Sequence, residues 1–242
     1  MARRLFFVDE VRAGRAEMAG EEARHLRRVL RAEVGQRYEI SDNEALYLAE
    51  IDGFGKDAIS FRILERLRRE EFPVAITLFA ALIKFDHFEW MLEKATELGA
   101  GTIIPVETVR TERGLEVAAR KRADRWRRIL LESSQQSRRA RRPSLGELLT
   151  LEEALRCPAA ERLFLDESEA AAPLTSALAP GELPRDAALI AGPEGGWVDS
   201  ERTRARELGW TPVSLGPCIL RAETAAIAGL AVLTSAYWTR TS

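Results

Sequence analysis

The chain has 242 residues, 46% of them hydrophobic and 31% charged, with 36 basic and 38 acidic side chains for a net charge of −2. That balance describes a soluble globular protein of one or two domains with enough length for a sizeable core, and it excludes a disordered chain. No apolar run approaches the roughly 18–20 residues of a membrane span, and the stretch behind Arg3 and Arg4 is too short for a signal peptide. Cys157 and Cys218, together with His25 and His87, form neither a disulfide framework nor a metal-ligand spacing. A cytoplasmic protein without metal or membrane contact is the expectation.

Residues 3–8 read as a short strand. Glu21–Arg31 reads as a helix whose Leu26, Val29 and Leu30 form an i, i+3, i+4 stripe. Strand-like runs follow at 37–41, 46–51 and 58–64, broken by Asp42-Asn43 and by Gly53-Phe54-Gly55. Short strands at this spacing predict a small β-barrel carrying one helix. The charged run 65–71 closes that unit, and a domain boundary is expected at about 68–73, giving domains over 1–70 and 73–242.

Beyond Pro73 strands alternate with helices. Val74–Leu82 is continuously apolar, as a buried parallel strand should be. Asp86 is placed to cap a helix with Glu89 as its capping-box partner; Phe88, Met91, Leu92 and Ala95 form its apolar face, and Gly99 stands at the C′ position. Thr102–Val106 reads as a strand. Residues 117–139 read as a long basic helix with Trp126, Ile129, Leu130 and Ser133 on the buried side. Strands are expected at Leu163–Leu165, Ala187–Ala191 and Val213–Leu215. Helices are expected at Asp199–Leu208, closed by Gly209, and at about 222–238, where Ile227, Leu230, Ala231 and Thr234 fall at helical spacing. The pattern is α/β with a mostly parallel sheet.

Charge is unevenly spread along this frame. Residues 110–142 hold 12 basic and 4 acidic side chains. Such a stripe on an otherwise neutral or acidic chain is a footprint for phosphate; a solvated helix face is the plainer alternative.

Two loops follow strands directly, where open α/β sheets bind ligands. Gly192-Pro193-Glu194-Gly195-Gly196-Trp197 permits close backbone approach to a ligand, yet lacks a P-loop lysine and a dinucleotide-binding spacing; a plain tight turn is the other reading. Leu215-Gly216-Pro217-Cys218-Ile219-Leu220-Arg221-Ala222-Glu223-Thr224 runs into the last helix, where Glu223 and Thr224 could simply cap it. A third candidate strand end is Phe164-Leu165-Asp166-Glu167. Together they indicate a pocket for a polar small molecule.

The segments HLRRVLRAEVGQ (25–36), EKATELGAGTIIPVET (93–108), RWRRILLESSQQSRR (125–139), LIAGPEGGW (189–197) and LGPCILRAETA (215–225) resemble the 16S rRNA (uracil-1498-N3)-methyltransferases of the SPOUT superfamily over nearly the whole chain. Cys218 stands where that family usually has arginine, and Gln135 where it often has glutamate. The resemblance implies an N-terminal PUA-like RNA-binding barrel and a C-terminal domain with a deep trefoil knot, a topology that the general connection rules argue against. It implies S-adenosylmethionine as cofactor, held by Leu165, Gly192, Pro193, Glu194, Gly195, Gly196, Leu215, Gly216, Ile219, Leu220 and Thr224. It further implies 16S rRNA, within the 30S subunit, as substrate, and a homodimer whose sites are completed by the partner chain.

N3 of uridine carries a proton and lies on the Watson–Crick edge, so the base must be unpaired to react. Arg221 is the candidate for electrostatic stabilisation of the uracil anion, and Glu223 the candidate for base or for orienting Arg221. RNA contacts are expected from His25, Arg27, Arg28 and Arg31 on the first helix and from Arg113, Arg139 and Arg141 on the basic segment. His25 could equally pack against the barrel. Two further readings stay open at this stage: a SPOUT enzyme acting on another rRNA or tRNA nucleotide, and a non-catalytic RNA-binding assembly factor.

Overall fold

The computed structural model describes residues 4–168, 171–178 and 182–240. The described residues form two compact units, one of those up to 71 with 131–142, the other of 72–130 with those from 143 onward.

The first unit contains β1 (Leu5–Phe7), β2 (Val11–Arg12), β3 (Arg15–Ala19), α1 (Gly20–Arg28), β4 (Arg37–Ser41), β5 (Leu46–Phe54) and β6 (Ala58–Leu67). They make one six-stranded sheet in the order β1-β4-β5-β6-β3-β2. Its pairings are antiparallel except β1 with β4. Phe6, Leu26, Ile40, Ile51, Ile59 and Phe61 fill its core. The expected strand over 3–8 is shorter, and residue 3 lies outside the described residues. The β2–β3 hairpin was not expected; Ala13 and Gly14 turn it with φ of 48° and 73°, the positive values that two-residue hairpin turns require. α1 stops at Arg28, three residues early, because Arg31 takes a φ of 49°. Leu26 is buried as expected, but Val29 is exposed and Leu30 only half-buried.

The second unit contains β7 (Ala75–Ala81), α2 (Phe85–Glu97), β8 (Thr102–Glu107) and α3 (Leu115–Ser137), the last turns of which belong to the first unit. It continues with β9 (Ser144–Leu145), β10 (Leu149–Thr150), α4 (Leu151–Leu155), β11 (Glu161–Leu165), β12 (Ala172–Pro173) and α5 (Leu174–Ala177). Then come β13 (Asp186–Ala191), α6 (Asp199–Glu207), β14 (Thr211–Ser214) and α7 (Ala222–Trp238). The sheet runs β10-β8-β7-β13-β11-β14-β12, with β9 beside β8, and every pairing is parallel. The α/β reading with a mostly parallel sheet therefore holds. The apolar runs of β7 and β13 pair with each other inside that sheet, as their composition requires.

The helix-start expectation at Asp86 fails. α2 begins at Phe85 with Lys84 in the cap position and no side-chain cap. Glu89 turns instead to Arg122 and Arg125, accepting from both at 2.8 Å. These charge-assisted guanidinium contacts outcompete a single backbone amide. A true capping box occurs unforeseen at α4, where Thr150 and Glu153 satisfy each other's amides. On α3, Trp126, Leu130 and Ser133 are buried and Ile129 packs partly against the core. On α7, Leu230 and Thr234 are buried while Ile227 and Ala231 are half-buried.

α2 closes as expected with Gly99, whose φ is 99°. A methyl group there would also overlap the Phe72 ring. Gly99→Ala is therefore expected to lower stability by about 1–3 kcal/mol, measured as a loss of denaturation midpoint.

Candidate functional site

Parallel strands present their carboxyl ends on one edge, and three of them open a cavity of about 300 Å³ there. Leu165, Asp166 and Glu167 leave β11, Gly192–Trp197 leave β13, and Ser214–Gly216 leave β14; Cys218, Ile219 and Leu220 complete the wall with Ala222 and Ala225 of α7. Of the residues expected to hold cofactor, all but Thr224 line this cavity. Thr224 is exposed on the first turn of α7. Asp166, Glu167, Trp197, Val213, Ser214, Cys218, Ala222 and Ala225 are lining residues that the sequence reading did not name as site residues. Asp166, Glu167, Trp197, Cys218 and Ala222 lie inside segments already singled out, and Val213, Ser214 and Ala225 flank them.

The wall is rigid for identifiable reasons. The Trp197 ring is buried and its Nε1 donates to the Leu165 carbonyl at 2.8 Å. Gly192 lies against that ring so closely that a Cβ would stand 2.8 Å from it. Gly216 meets nothing within 4 Å, yet its φ of 133° suits only glycine. The first glycine is thus a requirement of space and the second of conformation.

Asp166 is shut off from solvent and meets Arg202 Nε at 2.9 Å and the Ser168 hydroxyl at 2.7 Å. Burial alone would raise its pKa, but the hydrogen bonds from Ser168 and Arg202 outweigh burial and hold it below the usual carboxylate range. Arg202 also donates to Glu167 at 2.6 Å and to the Trp197 carbonyl at 2.7 Å. One guanidinium therefore joins the ends of β11 and β13.

Arg221 is exposed and occupies the N-cap of α7, between the lining residues Leu220 and Ala222. The Glu223 side chain is only 6% exposed and its Oε1 lies 3.0 Å from Nδ1 of His87. Glu223 thus faces α2, and neither it nor Arg221 lines the cavity. His87 was not anticipated as its partner; no spacing in the sequence links two residues so far apart.

In the first unit His25, Arg27, Arg28 and Arg31 are exposed. Arg27 donates to the Gly55 carbonyl at 3.1 Å and stacks over Phe54. Arg139 is half-buried, and burial pulls its guanidinium down to about 10 despite the nearby Glu71 carboxylate. Arg141 pairs with Glu71 at 3.3 Å. Gln135 donates to Glu22 at 2.5 Å, a contact in which a second carboxylate would repel the first. In the second unit Arg113 is exposed.

Residues 70–234 match the family model described as RNA methyltransferase domain. The chain is 34% identical over 212 residues to the ribosomal RNA small subunit methyltransferase E of Synechocystis sp., covering 86% of this chain and 68% of that one. It is 29% identical over 228 residues to the protein of the same name from Bacillus subtilis, covering 89% and 88%. The crystal structure of a ribosomal RNA small subunit methyltransferase E from Neisseria gonorrhoeae, bound to S-adenosyl methionine, superposes with a TM-score of 0.86 at 28% identity, covering 97% and 98%.

Gly192→Ala should displace the Trp197 ring and distort the cavity wall. Small-molecule binding at this edge is expected to fall at least about tenfold, with quenching or shift of tryptophan fluorescence reporting the displaced ring.

Proposed function

Since the chain belongs to the RNA methyltransferase family, we propose that it transfers a methyl group from S-adenosylmethionine to N3 of the uridine numbered 1498 in 16S rRNA. The cavity at the carboxyl ends of β11, β13 and β14 carries this reading. The two glycine-bearing loops let backbone approach a ligand closely. Leu165, Val213, Leu215 and Leu220 offer apolar surface for an adenine ring, and Glu167 and Glu194 offer acceptors for ribose hydroxyls or an ammonium group. This combination of apolar surface and acceptors suits a positively charged nucleoside, and the relative from Neisseria gonorrhoeae binds S-adenosyl methionine.

The bound cofactor supplies an electrophilic methyl group. The chain's own residues do the rest. The cavity loops align the two reactants, and orientation is the main source of rate in a displacement of this kind. Arg221, exposed at the N-cap of α7, favours the anionic form of uracil as N3 loses its proton to water. Glu223, buried and bonded to His87, holds the first turn of α7 that carries Arg221. The uridine reaches the site unpaired.

The finer architecture is part of the same reading. Residues 1–70 act as a PUA-like RNA-binding domain, with His25, Arg27, Arg28 and Arg31 of α1 and its flank on phosphate. Residues 73–242 form a SPOUT domain in which the segments ending in the two glycine-bearing loops thread a deep trefoil knot. Arg113, Arg139 and Arg141 extend the RNA surface. The working unit is a cytoplasmic homodimer acting on the small subunit.

Mass-spectrometric mapping tests the assignment: small subunits lacking the modification, incubated with protein and labelled cofactor, should gain N3-methyluridine at 1498. Methylation elsewhere or none would refute it. Sedimentation of the full chain should report a dimer. In single turnover at saturating RNA, Arg221→Ala should be slower on the order of a hundredfold, whereas Arg28→Ala should regain its rate and show weaker salt dependence of RNA binding.

A further inference from the structure

We propose that Arg110 and Arg202 are positioning residues that preorganise the glycine loop Gly192–Trp197 for its ligand. The inference rests on the reading that this cavity binds S-adenosylmethionine. A loop with three glycines samples many backbone conformations, and ordering it on binding would subtract from affinity. Here two of its peptide groups are held at both ends. The Gly195 carbonyl accepts from Arg110 Nη1, while the amide of the same peptide, on Gly196, donates to the Pro193 carbonyl at 2.9 Å. The Trp197 carbonyl accepts from Arg202 Nη1 at 2.7 Å, while the amide of Val198 donates to Glu201 at 3.0 Å. Because a peptide group is planar, fixing its oxygen and its hydrogen fixes its orientation.

Neither guanidinium lines the cavity, so both act on the ligand only through the loop. They are themselves anchored. Arg202 rests on Asp166 and Glu167. The segment bearing Arg110 is held where the amide of Val109 donates to Glu201 at 2.9 Å. Glu201 and Arg202 are neighbours on α6, so one helix secures both clamps. The side chain of Arg110 also covers the loop's outer surface, with its Cδ 3.1 Å from where a Cβ of Gly195 would stand.

Calorimetric titration of the full chain with S-adenosylmethionine tests this. Arg110→Ala should weaken binding about tenfold, the worth of one hydrogen bond from a charged donor. Its melting temperature should stay near that of the unsubstituted protein, because Arg110 is a surface residue of a loop. Arg110→Lys, which can still reach the carbonyl, should recover most of the affinity. In turnover the KM for the cofactor should rise while kcat falls far less. Arg202→Lys, which keeps a cation beside Asp166, provides the second variant and should also weaken binding. Affinity of Arg110→Ala within about twofold of the unsubstituted protein, or a loss matched by a lowered melting temperature, would overturn the proposal. Failure of the unsubstituted protein to bind the cofactor would instead remove the methyltransferase reading beneath it.

Discussion

A carboxylate taken fully out of water must be answered where it stands, because an unpaired buried charge costs several kcal/mol. Asp166 imposes that condition on the edge of the parallel sheet. It directly follows β11, and its answer comes from Arg202 on α6. α6 must therefore pack against that edge in one orientation. Once it does, Glu201 is brought to the amides of Val109 and Val198, and Arg202 to the Trp197 carbonyl. The cavity wall is built outward from one ion pair, and the ends of β11 and β13 keep their spacing because they share Arg202.

The basic stretch over residues 110–142 has a divided role. Arg122 and Arg125 are drawn to Glu89, Arg127 to Asp124, and Arg138 to Glu39. Glu39 is buried and also meets Arg69 at 3.0 Å. Part of the positive charge that reads as a phosphate footprint is thus paired with the chain's own carboxylates. In the first unit the cations of α1 and its flank are exposed, and in the second unit so is Arg113. Charge counting along a sequence registers the excess but not the carboxylates that fold back onto it.

Elements whose signal is local were legible in advance. β4 matches 37–41 and α7 matches 222–238, since period-two and helical spacing are properties of neighbouring residues. The same holds for the cavity: most of its wall comes from loops rich in glycine directly behind apolar strands. What was not legible depended on distant partners. Glu89 was read as a cap because Arg122 and Arg125 lie more than thirty residues away. The bond between Glu223 and His87, and the clamps on Gly195 and Trp197, have no counterpart in spacing. The β2–β3 hairpin escaped because Ala-Gly is a weak turn signal and its strands are short. Residues 131–142 fold with the first unit although the sequence places them far beyond the boundary at 68–73.

The two kinds of glycine at the cavity differ in how their loss could be repaired. At Gly192 the obstacle is the Trp197 ring, an object that another substitution can shrink. A larger residue at 192 is open to suppression from a second site. At Gly216 no neighbour stands in the way; the obstacle is the backbone angle itself. No change elsewhere removes it short of re-routing the loop. The two strand ends of one cavity therefore carry different evolutionary freedom, the first conditional on its packing partner and the second not.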